Sequence, residues 1–411
     1  SSAKGTIGSA KRPRLLPNVA VAAAEASQLL DRLATLPGEP LSGEQRRGAL
    51  ERFLALPSGR ERAGRFWRID FETLVPDIAR LDLNPAIVTV ENPNPAVVVY
   101  DLATAARECP QLLARAFGAT GIHATKFGAL TAAFAHVGCF IHVPADRACD
   151  RPVVIRYAAG DATVFPSTVV LVERGARVTI VERIEADAGA FVCGATEIVT
   201  GEHADVCFAA LQNAGAARVV WNRTARPGKD AKMTWADAEL GADLAAGELT
   251  VSIEQTGVAA EIAAIFFPGG SQHVDVVSTV DHRAGEASSE TLVKSAARDR
   301  GQARFLGNIR IAAHAQGSDA RLRDDALLLS PTAHIDSVPA LEIGANDVKA
   351  YHGATVGAMD AEQIFYMESR GIERSAAERM IALGFFEPAI ERFPTASLRD
   401  ELREALAAKL S

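Results

Sequence analysis

Large rings are scarce in this chain. Phe, Trp and Tyr make up 6% of its 411 residues, and Ala, Val and Gly do most of the apolar work. That composition suits tightly stacked, repetitive β-structure better than a core organised around aromatic side chains. Cysteine is scarce as well. The five, Cys109, Cys139, Cys149, Cys193 and Cys207, are odd in number and form no Cys-x-x-Cys pair. The pattern argues against a disulfide framework and a self-contained cysteine metal site, and it suits a reducing compartment. Buried small hydrophobes are the simplest reading of these residues.

Other absences bear on function directly. There is no Gly-x-x-x-x-Gly-Lys-Ser/Thr loop, so the chain is not expected to hydrolyse ATP by itself, and no Gly-x-Ser-x-Gly nucleophile elbow. Lys4, Lys11, Arg12 and Arg14 cluster near the start, but Asn18 and Glu25 interrupt the only apolar run after them. Neither a secretory signal nor a transmembrane span is read there, and a cytoplasmic location is expected. The net charge of −8 argues against a general nucleic-acid binder and against a membrane-surface protein.

What is present is a soluble composition, 48% hydrophobic and 23% charged, in a chain too long for one ordinary core. Two or three domains are expected, unless an elongated repeat carries most of the length. Residues 1–90 read as helical. Val19 to Leu36 is rich in Ala and Leu and ends at Pro37-Gly38. Ser42-Gly-Glu-Gln45 has capping-box spacing and opens a helix through Leu50, Phe53 and Leu54 that stops at Pro57. Arg60 to Arg68 interleaves arginines with Phe66 and Trp67, and in an acidic chain this reads as a helix-packing segment rather than a nucleic-acid patch.

After about Pro85 the texture changes to short β-branched runs, Ala86-Ile-Val-Thr-Val90 and Ala96-Val-Val-Val-Tyr100, with Asn-Pro turns between them. A helical segment, Leu102 to Phe117, interrupts. From Phe127 to about Ile343 almost no amphipathic helix pattern is found. Short runs such as Val169-Val-Leu-Val172, Leu249-Thr-Val-Ser-Ile253 and Val274-Asp-Val-Val277 take its place. Many follow a glycine corner, at Gly175, Gly201, Gly215, Gly228, Gly241 and Gly257, with gaps of 26, 14, 13, 13 and 16 residues. A repeated corner before a short strand is what a β-solenoid needs. A β-sandwich would give similar spacing, but the lack of a clear core Trp or Tyr pattern favours the solenoid. Beyond Ala358 helices return. Asp360-Ala-Glu-Gln363 can cap one and Ser375-Ala-Ala-Glu378 has capping-box spacing for the next. A last helix from about Ser397 repeats Leu398, Leu402, Leu406 and Leu410 on one face. Such helices would close the open end of a solenoid.

Candidate chemistry is sparse. His136-x-x-Cys139-x-x-His142 has the look of a metal triad, but on a strand Cys139 faces away from the histidines. The histidines would also stand roughly 20 Å apart, too far to share one ion. Glu254 with Glu261, or Asp324 with Asp325, would be the carboxylate pair of a solenoid polysaccharide enzyme, the enzyme alternative here, although solvated side chains explain them equally well. His352 stands where the β-type region meets the helical one, followed by Gly353 and Ala354, which are too small to cover it.

The stretch around His352 carries a resemblance. Pro339-Ala-Leu-Glu-Ile343, Asp347-Val-Lys349, His352-Gly-Ala-Thr-Val-Gly357, Glu362-Gln-Ile-Phe-Tyr366 and Ser369-Arg-Gly-Ile372 together resemble the C-terminal motif of the SufB/SufD family of iron–sulfur cluster assembly scaffold proteins. His-Gly-Ala-Thr-Val-Gly favours the SufD branch over the SufB branch. Arg65-Phe-Trp-Arg-Ile-Asp70, Phe305-Leu-Gly-Asn-Ile309 and Leu327-Leu-Leu-Ser330 extend the likeness over most of the chain. The resemblance implies a right-handed parallel β-helix core (residues 91–346) between an N-terminal helical domain (1–90) and a C-terminal helical domain (347–411). It implies a non-catalytic scaffold that pairs with SufB and docks the ABC-type ATPase SufC, whose ATP-driven motion opens the SufB–SufD interface for a nascent cluster. It places His352 at that interface as a ligand for transient iron or cluster, with none bound tightly by the isolated chain. Glu342, Asp347 and Lys349 become candidates for supporting it. The SufC-docking helix would include Glu362, Gln363, Phe365, Tyr366, Arg370 and Gly371. The isolated chain would be free to form a homodimer. One departure stands out: family members often carry a cysteine two residues before the histidine, and here that residue is Ala350.

Overall fold

The computed structural model describes residues 23–36, 39–56, 80–84 and 87–410. The arginine-rich stretch 60–68, the Arg65–Asp70 match and the Pro37-Gly38 stop lie outside these residues. From Arg177 to Ala358 successive strands fall alternately in two sheets. The first sheet has nine strands. Its edge strand Val88–Glu91 is antiparallel and the other eight, from Val153–Ala158 to Val348–Ala358, are parallel. The second has ten, including the antiparallel Val98–Asp101 and the short Thr163–Val164 beside a column of eight parallel strands that ends at His334–Ile343. Parallel pairing throughout this column rules out the sandwich, whose neighbouring strands run antiparallel, and makes the core a β-solenoid.

Register gives the repeat. Arg218 pairs with Leu244, 26 residues on, and Gln302 with His334, 32 residues on. The 13- to 16-residue glycine gaps therefore mark half-coils, one strand and one corner each. The six corner glycines serve two different needs. Gly175, Gly215 and Gly257 have positive φ. Gly201, Gly228 and Gly241 do not; a Cβ there would sit 2.5–2.6 Å from backbone atoms of the neighbouring coil.

The space between the sheets is filled by Val, Ile and Ala, and, contrary to the sequence reading, by two tryptophans. Trp235 packs on Phe208 with ring centroids 4.8 Å apart. Trp221 spreads over Gly247, where a Cβ would come within 2.2 Å of its ring. Helices cover the outer faces. Gly43–Ala55, which begins with the expected Ser42–Gln45 capping box, packs with Ala23–Leu33 on the second sheet through Leu29, Leu50 and Phe53. Between them and the sheet lies Lys126–Phe134, a helix within the stretch that shows no amphipathic pattern. Most of its residues are buried, so it has no polar stripe to reveal it.

The last two helices, Arg374–Ile390 and Ala396–Lys409, lie on the outer face of the first sheet, where Phe386, Leu398, Leu402 and Leu406 meet Ala236, Ile265 and Phe267. They cover a face of the solenoid and do not close its end, as the sequence had suggested. The cap of Arg374–Ile390 also shifts. Glu373, not Ser375, holds the N-cap and accepts the Ala376 N–H, because the chain leaves the Gly371 turn directly into the helix.

One polar cluster crosses the apolar interior. Arg223, from the second sheet, reaches Asp237 at 2.7 Å, Glu182 at 3.3 Å and Glu239 at 3.4 Å, all on the first. All four are buried, and the guanidinium also lies 4.1 Å from the Trp221 ring. One cation cannot balance three carboxylates in a low-dielectric core. Burial accordingly holds Glu239 well above the usual carboxylate range, with Asp237 beside it adding to the effect, and burial raises Asp237 too. Arg223→Leu should cost about 3–5 kcal/mol of stability, because it strands buried carboxyls; chemical denaturation measures it. A raised folded-state carboxyl stabilises below its unfolded pKa, and that stability is lost as pH rises towards its folded pKa. Glu239→Gln should therefore gain stability relative to the parent chain between pH 5 and pH 8 in thermal melts. An unchanged difference would mean that Glu239 does not carry the proton.

Candidate functional site

The solenoid ends abruptly. His334–Ile343 and Val348–Ala358 are the last strands of their sheets, each with a ladder on one side only. The β-region thus runs past residue 346, and His352 lies within the final strand rather than at its junction with helix. Register shows where it faces. Phe208, Trp235, Ile262, Thr291, Leu322 and His352 pair in succession, one coil to the next. The first five are buried and His352 is exposed. It occupies an inward-facing position, left open because no further coil among the described residues covers it. Val348 and Ala350, on the same face, pack against the core.

The supporting residues expected from the resemblance do not gather around His352. Lys349 is on the opposite face of the pleat, with the 59%-exposed Tyr351. Glu342 turns to Arg310, 3.3 Å away. Asp347 precedes the strand and ties down the corner through its backbone, donating to Gln316 Oε1 and accepting from Gly317 N–H. The exposed surface beside His352 is apolar: Val338, Ile343, Tyr351 and Val356 all belong to these two strands.

Asp324 and Asp325 do not form a pair. Asp325 points outward to Lys294 at 2.7 Å and Arg323 at 2.8 Å, and accepts from Thr355. Asp324 faces inward and is 0% exposed. It accepts one hydrogen bond, from the Ser337 hydroxyl, and its Oδ1 has no partner among the described residues. Burial pushes its carboxyl up to about 7. Its register partner on the final strand is Ala354, whose methyl is all the side chain that covers it. Glu254 and Glu261 are taken up separately, by Arg283 and Lys232. No acid–base pair for glycoside chemistry is assembled from these residues. In the His136–Cys139–His142 stretch the strand begins at Gly138. Cys139 is buried in the inter-sheet core, and His142 faces outward, 3.4 Å from Glu173.

The helix Ala361–Ser369 follows the final strand almost directly. Asp360 caps it, accepting from Glu362 N–H at 2.9 Å. Only Ile364 is buried. Glu362 and Gln363 are exposed, as are Phe365 (71%) and Tyr366 (60%), and the Arg370 guanidinium lies 5.2 Å from the Tyr366 ring. Gly371, at φ 82°, turns the chain into the next helix, on which Met380 is likewise exposed. Phe365, Tyr366 and Met380 thus leave large apolar side chains exposed on these two helices. Among the described residues no helix is long and apolar enough to cross a membrane.

Comparison with known proteins agrees with this architecture. Residues 155–385, more than half of the chain, match the family model described as SUF system FeS cluster assembly, SufBD core domain. The iron–sulfur cluster assembly protein SufD of Bacillus subtilis is 28% identical over 341 residues, covering 80% of this chain and 78% of that protein. Iron–sulfur cluster assembly SufBD family proteins of Staphylococcus saprophyticus and Staphylococcus epidermidis are 27% identical over 307 residues, 72% of this chain and 66% of each of them. With its parallel solenoid and its match to the core model, this chain belongs to the SufB/SufD family and has a role in iron–sulfur cluster assembly.

Proposed function

We propose that the chain is a non-catalytic scaffold subunit of the SUF complex. The open end of its solenoid pairs with SufB, and its Ala361–Ser369 helix docks SufC. The observation that carries this reading is the exposed, inward-facing His352 at the end of a buried column, on one of the two last strands, each unpaired along its outer edge among the described residues. Such edges are templates for further strand pairing, and the apolar Val338, Ile343 and Val356 add surface that a partner would bury. A SufB solenoid docked there would extend both sheets and enclose the imidazole. A neutral imidazole is a suitable ligand for iron, and the thiolates, which this end lacks, would come from SufB. Iron or the nascent cluster is then cargo, held between two chains and released or built as they part. In the absence of SufB the same edges are open to a second copy of the chain.

Two experiments test the reading. His352→Ala should leave the melting temperature and SufC binding unchanged, since the side chain is exposed, while lowering cluster yield in a complex reconstituted with SufB and SufC. Unchanged yield would reduce His352 to a structural residue. Phe365→Ala combined with Tyr366→Ala should weaken SufC binding by about 30-fold or more, as for loss of an aromatic hot spot, without altering circular dichroism. Retained affinity would place the ATPase elsewhere.

A further inference from the structure

Of the inward-facing carboxylates Glu182, Asp237, Glu239 and Asp324, only Asp324 has no cation in direct contact among the described residues. Glu182, Asp237 and Glu239 gather on Arg223. Asp324, on the last-but-one strand of the first sheet, accepts a hydrogen bond from the Ser337 hydroxyl and from no other of the described residues. The nearby ammonium of Lys294 is bound to Asp325 on the outer side of the strand. A buried carboxyl with a free oxygen is costly unless something completes it.

Its position says what could. Asp324 pairs with Ala354, two residues beyond the Leu322–His352 pair, and both Asp324 and His352 face the inter-sheet space. Strand spacing and a two-residue offset put their Cα atoms about 8 Å apart. Across that distance a carboxylate and an imidazole can lean towards one ion bonded at about 2 Å to each. On the final strand between these two positions Gly353 faces the other side, and Ala354, opposite Asp324, adds only a methyl.

We infer that Asp324 and His352 form a two-donor binding site for a divalent first-row transition metal ion at the open end of the solenoid. One imidazole nitrogen and one carboxylate oxygen suit an ion of the ferrous class. Ser337 orients the carboxylate by holding its other oxygen. The remaining coordination positions are left to water in the isolated chain and to a docked partner in the complex. The inference rests on the interface reading of His352 and deepens it: the cargo ion would be held by this chain through two residues, one exposed and one buried behind it.

The test uses the full chain and cobalt(II), whose visible absorption reports an N/O site. The parent chain should bind one equivalent. Asp324→Asn, close to isosteric and still able to accept from Ser337, should weaken binding at least tenfold, and His352→Ala should do the same. Asp319→Asn, an outward carboxylate paired with Arg321 on the same strand, should leave the affinity unchanged. Circular dichroism confirms that each variant is folded. No cobalt binding by the parent chain, or equal affinity in Asp324→Asn, overturns the site. Cluster yield with SufB and SufC separates the two claims. If His352→Ala lowers the yield while Asp324→Asn changes neither yield nor cobalt affinity, the two-donor site fails and the scaffold reading stands. If neither variant lowers the yield, the interface reading fails.

Discussion

Coil-to-coil backbone pairing is the constraint on which the rest of this structure depends. Each strand aligns residue for residue with the strand one coil earlier, so a side chain's inward or outward position is inherited along the whole solenoid. The interior columns are mainly apolar, because a polar residue placed in one is buried by both neighbours and needs partners there, as Arg223 has in its carboxylates. That protection fails only at the ends. At the N-terminal end the antiparallel strands Val88–Glu91 and Val98–Asp101 cover the first coil. At the C-terminal end nothing equivalent follows Val348–Ala358 among the described residues, and a column that has been buried for five coils ends in an exposed histidine.

Helix placement sharpens the contrast. Both outer faces of the solenoid carry helices, the N-terminal ones on the second sheet and the C-terminal ones on the first. These remove from water the long faces that would otherwise associate. The large apolar side chains still exposed are accordingly concentrated on the last two strands and on the helices just after them. On the scaffold reading, these are the surfaces that partners would cover.

Much of this was legible in the sequence, and the parts that were not have physical reasons. Glycine corners announced the solenoid, because a corner constrains the backbone locally, whether through φ or through close approach to the next coil. They gave the half-coil rather than the coil, since two corners of similar kind occur per turn. The capping box at Ser42 and the leucine stripe from Leu398 to Leu406 are local patterns and were read correctly. Lys126–Phe134 was missed because a helix buried nearly all round has no periodicity to detect. The tryptophans were underrated because the space for Trp221 is made by Gly247, a residue one coil away. Asp324 was read only as half of a carboxylate pair with Asp325, or as a solvated side chain, for the same reason: its burial, its lone hydroxyl partner and its place beside the His352 column all depend on residues from other coils. The family motif pointed to His352, but only the register showed that it faces inward.

The two exposed surfaces are also close in sequence, and this matters for how a scaffold could work. Val348–Ala358 is held along its length by pairing with Ser318–Leu328, and Asp360 already caps the following helix. Only Met359 separates the strand from that capping residue. A connection so short has little slack, so displacement of the helix must either be absorbed in the Ala358–Asp360 backbone or pull on the free-edged strand. That strand is paired on one side only, so it has fewer ties than the coils behind it. On the scaffold reading, an ATPase that moved the docking helix would therefore act first on the strand that carries His352, while the deeper coils, paired on both sides and tied across the interior by Arg223, would hold their shape.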